Sequence, residues 1–291
     1  MANLKEIRNR ISSVSSTMQI TSAMKMVSAA KLKKAQDAIT AMRPYSDKLT
    51  ELLQNLSATT DGDAGSKYTE QRDVERALVV AITSNRGLAG AFNTNIIKEL
   101  TRLNLNELKG VDVSYMTIGK KANDFVSKQS PVQSNKSDLF ENISYDNVAV
   151  IAEELMELFT TGQFDKIVIV YNSFKNAATQ IVMTEDFLPL KPVAKDEDAL
   201  QAETELDYIF EPSKEEIIEE LIPKSLKMQL YKGVRDSWAS EHGARMTAMH
   251  KATDNATELR DQLKLTYNKA RQAAITNEIL EIVGGAEALN S

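Results

Sequence analysis

The distribution of glycine and proline is the feature that most constrains how this chain can fold. The first glycine is Gly62, and Pro44 is the single proline before it. No proline follows Pro223, and glycine stays sparse from there to Gly284 and Gly285. Because glycine and proline are the main helix breakers, we predict a long helix at each end of the chain and a different structure between them.

The first segment carries apolar residues at the alternating spacing of three and four that is typical of a coiled-coil seam. This seam begins with Leu4, Ile7, Ile11, Val14 and Met18. We interpret Ile20–Val27 as a slip in the register, which would change the supercoil locally. Pro44 is a position where the helix can kink. After the slip the predicted seam continues with Leu32, Ala35, Ile39, Met42, Tyr45, Leu49, Leu52 and Leu56.

The last segment is predicted to be helical from about Lys224 to Glu281. Its seam has the same spacing and is rich in alanine, which lets two helix axes approach closely. The predicted seam residues are Met249, Ala252, Ala256, Leu259, Leu263, Thr266, Ala270, Ala273, Asn277 and Leu280. Because a helix with one apolar stripe is not stable alone in water, the two segments are expected to pair with each other, antiparallel.

The middle region changes from the period of a helix to that of strands. The predicted strands are Ala77–Thr83, Val111–Ile118, Lys166–Tyr171 and an antiparallel edge at Thr179–Thr184. Helical patterns at Asn93–Leu103 and Asn147–Phe159 alternate with them. Alternation of this kind indicates a mainly parallel sheet. The predicted fold class is α/β plus coiled coil: an antiparallel two-helix coiled coil with a central Rossmann-like domain. The predicted domains are 1–60, 70–215 and 216–291.

Composition excludes some classes of function and leaves others open. The chain has no cysteine, so disulfides, thiolate catalysis and cysteine-based zinc sites are excluded. Residues 1–34 carry seven basic side chains and one acidic one, whereas residues 61–223 carry 16 basic and 29 acidic. The basic arm is either a solvated helix face or an arm that sits inside an acidic partner. Nucleic acid is the less favoured partner, since no aromatic residue precedes Tyr45 to stack on bases.

The positions where catalytic chemistry could occur do not fit known motifs. The turn Ser84–Gly90 follows a strand and opens a helix, as phosphate-binding loops do. Asn85 stands where the Rossmann motif needs glycine, and Ala91 stands where a Walker loop needs lysine. A tight structural turn is therefore the better interpretation. His242 and His250 are eight residues apart, so they cannot chelate one metal from a helix. We expect both to be partly exposed, and we predict no cofactor or metal site.

Several long motifs resemble the gamma subunit family of F-type ATP synthases. At the N-terminus these are Leu4–Val14 and Thr17–Val27, and at the C-terminus Ala239–Met249, Ala252–Ala256 and Tyr267–Ile279. In the middle they are Asn85–Gly90 and Asp207–Pro212. The resemblance implies a non-catalytic central rotor shaft, which transmits torque between a membrane ring of c subunits and a catalytic head of three alpha and three beta subunits. It also implies an epsilon partner, contact with the membrane only through the complex, and ATP chemistry on beta.

The resemblance also implies contact residues. Met24 and Lys25 match the level where the family's shaft meets an acidic loop of beta, and Glu241 and Arg245 lie on the opposing helix near it. Arg271, Gln272 and Thr276 match the contact with a beta catch loop. Tyr208 matches the region that faces epsilon and the c ring.

The expected location is peripheral, on the cytoplasmic face of a bacterial cell membrane, because the family motif starts almost at the first methionine. The absence of cysteine also excludes the dithiol regulation of chloroplast-type relatives. Two alternatives remain open: a generic coiled-coil adaptor, and a nucleotide-binding enzyme built on the middle α/β region.

Overall fold

Two long helices carry the N-terminal and C-terminal segments of the chain. The structure, a computed structural model, describes residues 4–58, 67–190 and 214–290. Helix α1 runs from Leu4 to Ala58 and contains Pro44, and helix α5 runs from Lys214 to Asn290. These helices confirm the prediction of a helix at each end. None of the helices in the described ranges is both long and apolar enough to cross a membrane.

Helix α5 begins earlier and ends later than its sequence predicts. It passes through Pro223 and through Gly284 and Gly285. A proline inside a helix costs about 3 kcal/mol, but Ile222 and Leu226 on either side of it are buried. Burying a large aliphatic side chain contributes about 1.5–3 kcal/mol, which is enough to hold the helix together across the proline.

By the grouping of its contacts the chain divides into two units. One comprises Met1–Ala29 with Arg245–Ser291, and the other Ala30–Ala244. Both long helices therefore contribute to both units. The predicted domain boundaries near residues 60 and 215 fall in or beside stretches outside the described residues, and they stay a prediction.

The second unit is built on a five-stranded sheet with the order β3-β2-β1-β4-β5. Its strands are β1 Arg76–Ile82, β2 Asp112–Ile118, β3 Val132–Asn135, β4 Lys166–Phe174 and β5 Gln180–Leu188. The first four pair in parallel, and β5 pairs antiparallel with β4. The parallel core and the antiparallel edge are both as predicted.

Three further helices and one 3-10 turn connect the strands. They are α2 Phe92–Leu105, α3 Lys120–Val126, α4 Tyr145–Thr160 and the turn Ser137–Glu141. The sequence interpretation found α2 and α4 but missed α3 and β3. Both missed elements are short, so neither offers enough turns or alternations for periodicity to stand out.

Alternate residues of β1 enter two separate cores. Leu78, Val80 and Ile82 face one cluster, which includes side chains of α4 and of α5. Ala77 and Val79 face the other, which is formed with α2 and α3. A strand that is covered on both faces has a continuous run of apolar residues in its sequence. The unit is thus a three-layer α/β structure with its central strand fully enclosed.

Gly119 joins β2 to α3 at a position where the backbone is crowded. Its φ is +122°, and a Cβ atom there would lie 2.2 Å from the carbonyl oxygen of Thr83. The Thr83 hydroxyl also accepts a hydrogen bond of 2.8 Å from the Ala122 amide in the first turn of α3. Only glycine fits between these groups.

Replacing Gly119 with alanine should lower the free energy of unfolding by at least about 2 kcal/mol, because the clash is with backbone and the conformation is strained. Urea unfolding of the full chain measures the loss. Gly87→Ala is the matched control, since nothing lies within 4 Å of that position, and it should change stability little. Equal stability of the two variants would contradict the steric argument.

Candidate functional site

In the first unit, α1 and α5 form an antiparallel pair joined by direct side-chain contacts. Arg8 donates a hydrogen bond of 2.7 Å to the Tyr267 hydroxyl. The hydroxyls of Thr21 and Thr253 lie 2.8 Å apart. Partners on α5 move towards its N-terminus as those on α1 move towards its C-terminus, so the pairing is antiparallel as predicted.

Met18 lies between these two contacts and extends the same pairing. Its sulfur accepts a hydrogen bond of 3.3 Å from the Thr257 hydroxyl. The Arg260 guanidinium lies 3.5 Å from the same sulfur. The three levels of contact thus share one register.

The seam of α1 has no slip, so that prediction was wrong. Thr21 and Ser28 are 8% and 3% exposed, and they occupy the next positions of the same repeat of three and four after Met18. Ile20 and Val27, which suggested the slip, are 59% and 57% exposed. Polar residues occupy the seam positions in the stretch that was interpreted as a slip.

The same repeat corrects the later part of the predicted α1 seam. Tyr45 is 52% exposed, whereas its neighbour Ser46 is half-buried. Leu49 is buried and Leu52 half-buried. The side chain of Leu56 lies outside the described residues. The heptad spacing outranks hydrophobicity in deciding which residues face inwards.

The seam of α5 includes Thr253 beside the predicted Ala252, and it then follows Arg260 and Tyr267 rather than the predicted Leu259 and Thr266. Thr253, Arg260 and Tyr267 are each half-buried, whereas Leu259 and Thr266 are exposed. Long or polar side chains can enter a seam when their polar ends reach a partner or water. The predicted positions Met249 and Ala256 are buried, and Ala252, Leu263 and Ala270 are half-buried. Ala273, Asn277 and Leu280 are exposed, so they do not lie in a seam.

Met24 and Lys25 lie at the edge of the helix pair. Both side chains are half-buried. The Lys25 ammonium is 3.4 Å from Nδ1 of His250, and that nitrogen is 3.4 Å from an Asp254 oxygen. Lys25 is therefore positioned by α5 while its end stays near solvent.

Glu241 and Arg245 differ from the other predicted contact residues in their burial. Each is 8% exposed. His242, one residue after Glu241, is 5% exposed and meets the Trp238 ring edge-on at 5.1 Å. Our expectation of two partly exposed histidines was thus wrong for His242, whose ring is packed against an aromatic side chain, and right for His250.

Arg271, Gln272 and Thr276 all lie on a fully exposed stretch of α5. Every described side chain from Arg271 to Ala286 is exposed. The stretch also presents large apolar residues that are 49% to 67% exposed: Ile275, Ile279, Leu280, Ile282 and Val283. Apolar side chains concentrated in one exposed segment mark a surface for a partner. Tyr208 lies outside the described residues.

Polar groups of the turn after β1 form hydrogen bonds with the neighbouring elements. The amide of Lys120, at the start of α3, donates to the Asn85 side chain at 3.0 Å. The amide of Ser84 donates to the Asn93 side chain at 3.0 Å. The amide of Lys121 donates to the carbonyl of Ser84 at 3.2 Å. These hydrogen bonds tie the start of the turn to α2 and to the start of α3.

Comparisons with known proteins match the whole length of the chain to one family. A family model described as ATP synthase matches residues 3–289. The chain is 72% identical over 290 residues to the ATP synthase gamma chain of Flavobacterium psychrophilum, with 99% of each covered. It is 66% identical over 290 residues to the ATP synthase gamma chain of Christiangramia forsetii, with 100% of each covered.

Solved structures with a similar fold come from mitochondrial ATP synthases. A chain from the central stalk and c-ring structure of Tetrahymena thermophila aligns with a TM-score of 0.58 and 26% identity, covering 80% of this chain and 99% of that one. A chain from the Euglena gracilis structure aligns with a TM-score of 0.69 and 23% identity, covering 98% and 94%. The combination of helix pair and Rossmann-like sheet is therefore a known arrangement.

The polar seam gives a test of the helix pair. Changing Thr21 and Thr253 together to valine should raise the stability of the pair by about 1 kcal/mol, because two seam hydroxyls are replaced by methyl groups of the same shape. Thermal unfolding followed by helical circular dichroism measures the change. The double serine variant keeps the hydroxyls and loses the methyl groups, so it should be less stable than the native chain. A destabilised double valine variant would show that the hydroxyl pair contributes more than apolar packing does.

Proposed function

This chain belongs to the family of ATP synthase gamma chains, and we infer that it serves as the central rotor shaft of an F-type ATP synthase. Its task is to transmit torque between the c-ring in the membrane and the catalytic head of alpha and beta subunits. Ion flow is thereby coupled to the synthesis or hydrolysis of ATP. The mechanism requires an element that turns as a rigid body and meets its surroundings through side chains.

The observation that carries this function is the helix pair of the first unit. Contacts at Arg8, Met18 and Thr21 hold α1 and α5 in a single register. Beyond them α5 continues as a stretch whose side chains are exposed from Arg271 to Ala286. Paired helices can transmit torque, and the exposed stretch supplies a surface for the catalytic head in which the shaft turns.

We propose that the beta subunits meet this chain at two levels. The first includes Met24, Lys25 and Arg245, all in the first unit, and Glu241 of the second unit is proposed as a separate contact. The half-burial of Met24 and Lys25 supports a contact there, since part of each side chain faces outwards. Glu241 and Arg245 expose only 8% of their surface, so they would meet beta through a small part of the side chain.

The second proposed level is formed by Arg271, Gln272 and Thr276. All three side chains are exposed on α5, which supports this level more strongly than the half-buried side chains support the first. Arginine suits such a contact, because its planar guanidinium can donate two parallel hydrogen bonds to a carboxylate. The apolar side chains on the same stretch would add contact area that does not depend on charge.

We further propose that the chain itself is not catalytic and that ATP chemistry takes place on beta. Support comes from the sequence of the turn after β1, where Asn85 stands in place of the Rossmann glycine and Ala91 in place of the Walker lysine. This argues against the alternative of a nucleotide-binding enzyme.

The remaining partners and the location are proposed from family membership. The epsilon subunit and the c-ring would meet the region that includes Tyr208. The complex would place this chain on the cytoplasmic face of a bacterial membrane, held there only by its partners. The basic residues of α1, including Arg8 and Arg10, would then lie inside a protein sleeve rather than on nucleic acid.

Reconstitution tests the shaft function directly. Alpha and beta subunits assembled with this chain should hydrolyse ATP and, with the membrane sector, pump ions, whereas assemblies without it should lose ion pumping. The measurements are ATPase activity and acidification of vesicles. Unchanged assembly, ATPase activity and pumping without the chain would contradict the function.

A double variant separates the shaft from a generic coiled-coil adaptor. Arg271→Ala with Gln272→Ala should lower ATP-driven pumping about tenfold, as expected from the loss of charge-assisted contacts worth about 1.5–3 kcal/mol, while the complex still assembles. Lys264→Ala is the control, because Lys264 is exposed on the same helix outside the proposed contact. An adaptor would tolerate both changes equally, so equal pumping by the two variants would favour it.

A further inference from the structure

A pocket of about 380 Å³ lies within the unit Ala30–Ala244, between α1, the end of β4 and α5. Small-molecule sites in proteins have volumes of about 300–1,000 Å³ and combine an apolar wall with a few polar groups. This pocket is distinct from the helix pair and from the turn after β1. Its chemistry therefore needs a separate explanation.

Two cations from different helices line the pocket. Arg43 belongs to α1 and Lys232 to α5, and both side chains are exposed. Neither forms an ion pair within 4.0 Å to any residue in the described ranges, although other surface cations of this unit do, such as Lys227 with Glu153. Cations that converge on one cavity without a close ion pair form a site for an anion.

The pocket also contains a buried acid, which constrains how an anion can bind. Asp236 is 9% exposed and accepts a hydrogen bond of 3.2 Å from the Ser173 hydroxyl. Burial raises the pKa of the Asp236 carboxyl, although Ser173, Lys232 and Arg43 oppose the rise. An anion is repelled by this carboxylate, so it would bind beside the exposed cations and not beside Asp236.

Apolar side chains complete the lining. Met42 is 8% exposed, and Phe174 is half-buried on the opposite element. A ligand that fills the cavity would place an apolar body between these two side chains. Its charged group would point outwards, to the guanidinium and the ammonium.

We propose that this pocket binds a small organic phosphate monoester, with the phosphate held by Arg43 and Lys232 and the apolar body packed against Met42 and Phe174. Phosphate suits the pair of cations because it carries more than one negative charge and offers several acceptor oxygens, to which arginine can bind bidentately. The bound molecule bridges α1 and α5 and so stabilises the unit by mass action.

Phenyl phosphate is a suitable probe, because it has one phosphate and one apolar ring. Calorimetry on the full chain at constant ionic strength should detect its binding, and the melting temperature should rise with its concentration. Arg43→Gln and Lys232→Gln should each weaken the affinity about tenfold, as expected for the loss of a charge-assisted contact. Asp236→Asn should bind the probe at least as tightly as the native chain, since it removes a repulsive charge.

Controls make each outcome decisive. Lys98→Gln removes an exposed cation of α2 that does not line the pocket, and it should bind like the native chain. Circular dichroism without ligand checks that Arg43→Gln and Lys232→Gln still fold. Absence of binding by the native chain, or equal affinity in the native chain and both glutamine variants, would overturn the proposal. Inorganic phosphate that binds as tightly as phenyl phosphate would overturn the assignment to an organic monoester.

Discussion

The structure depends on the pairing of two helices, neither of which would be stable alone in water. Each has one face that must be covered, and each covers the other with a repeat of three and four residues. In α1 this repeat continues from Leu4 to Leu49 through positions that are not hydrophobic. In the second unit Met42 and Leu49 of α1 pack with Met228 of α5, and α5 also covers one face of the sheet. Contacts between α1 and α5 thus stabilise both units.

Much of this arrangement could be predicted from the sequence, because its main elements are long or strongly patterned. The positions of glycine and proline were sufficient to predict the two long helices, and the alternation of strands with helices was sufficient to predict a mainly parallel sheet. The prediction failed where the polarity of a residue disagrees with its position in the repeat. Thr21 and Ser28 lie in the seam although they are polar, and Ile20 lies outside although it is apolar. Spacing was the better guide there, since the repeat never breaks.

Some of the candidate sites could also be predicted from the sequence, and others could not. Contact residues such as Lys25 and Arg271 could be named because long motifs resemble a known family, and their roles rest on that resemblance. The pocket could not be found in this way, because Arg43 and Lys232 are far apart in the sequence and belong to no shared motif. Only the folded chain brings cations from two helices to one cavity. The burial of His242 escaped prediction for the same reason, since it depends on packing around α5.

The mixture of polar and apolar residues in the seam affects how the pair responds to load. A purely aliphatic seam can slide by a turn at low cost, because one leucine fits the place of another. Hydroxyl and sulfur contacts, such as Thr21 with Thr253 and Met18 with Thr257, are satisfied in one alignment only. Polar residues in a seam are known to specify alignment at some cost in stability. The pair therefore resists axial sliding of one helix along the other.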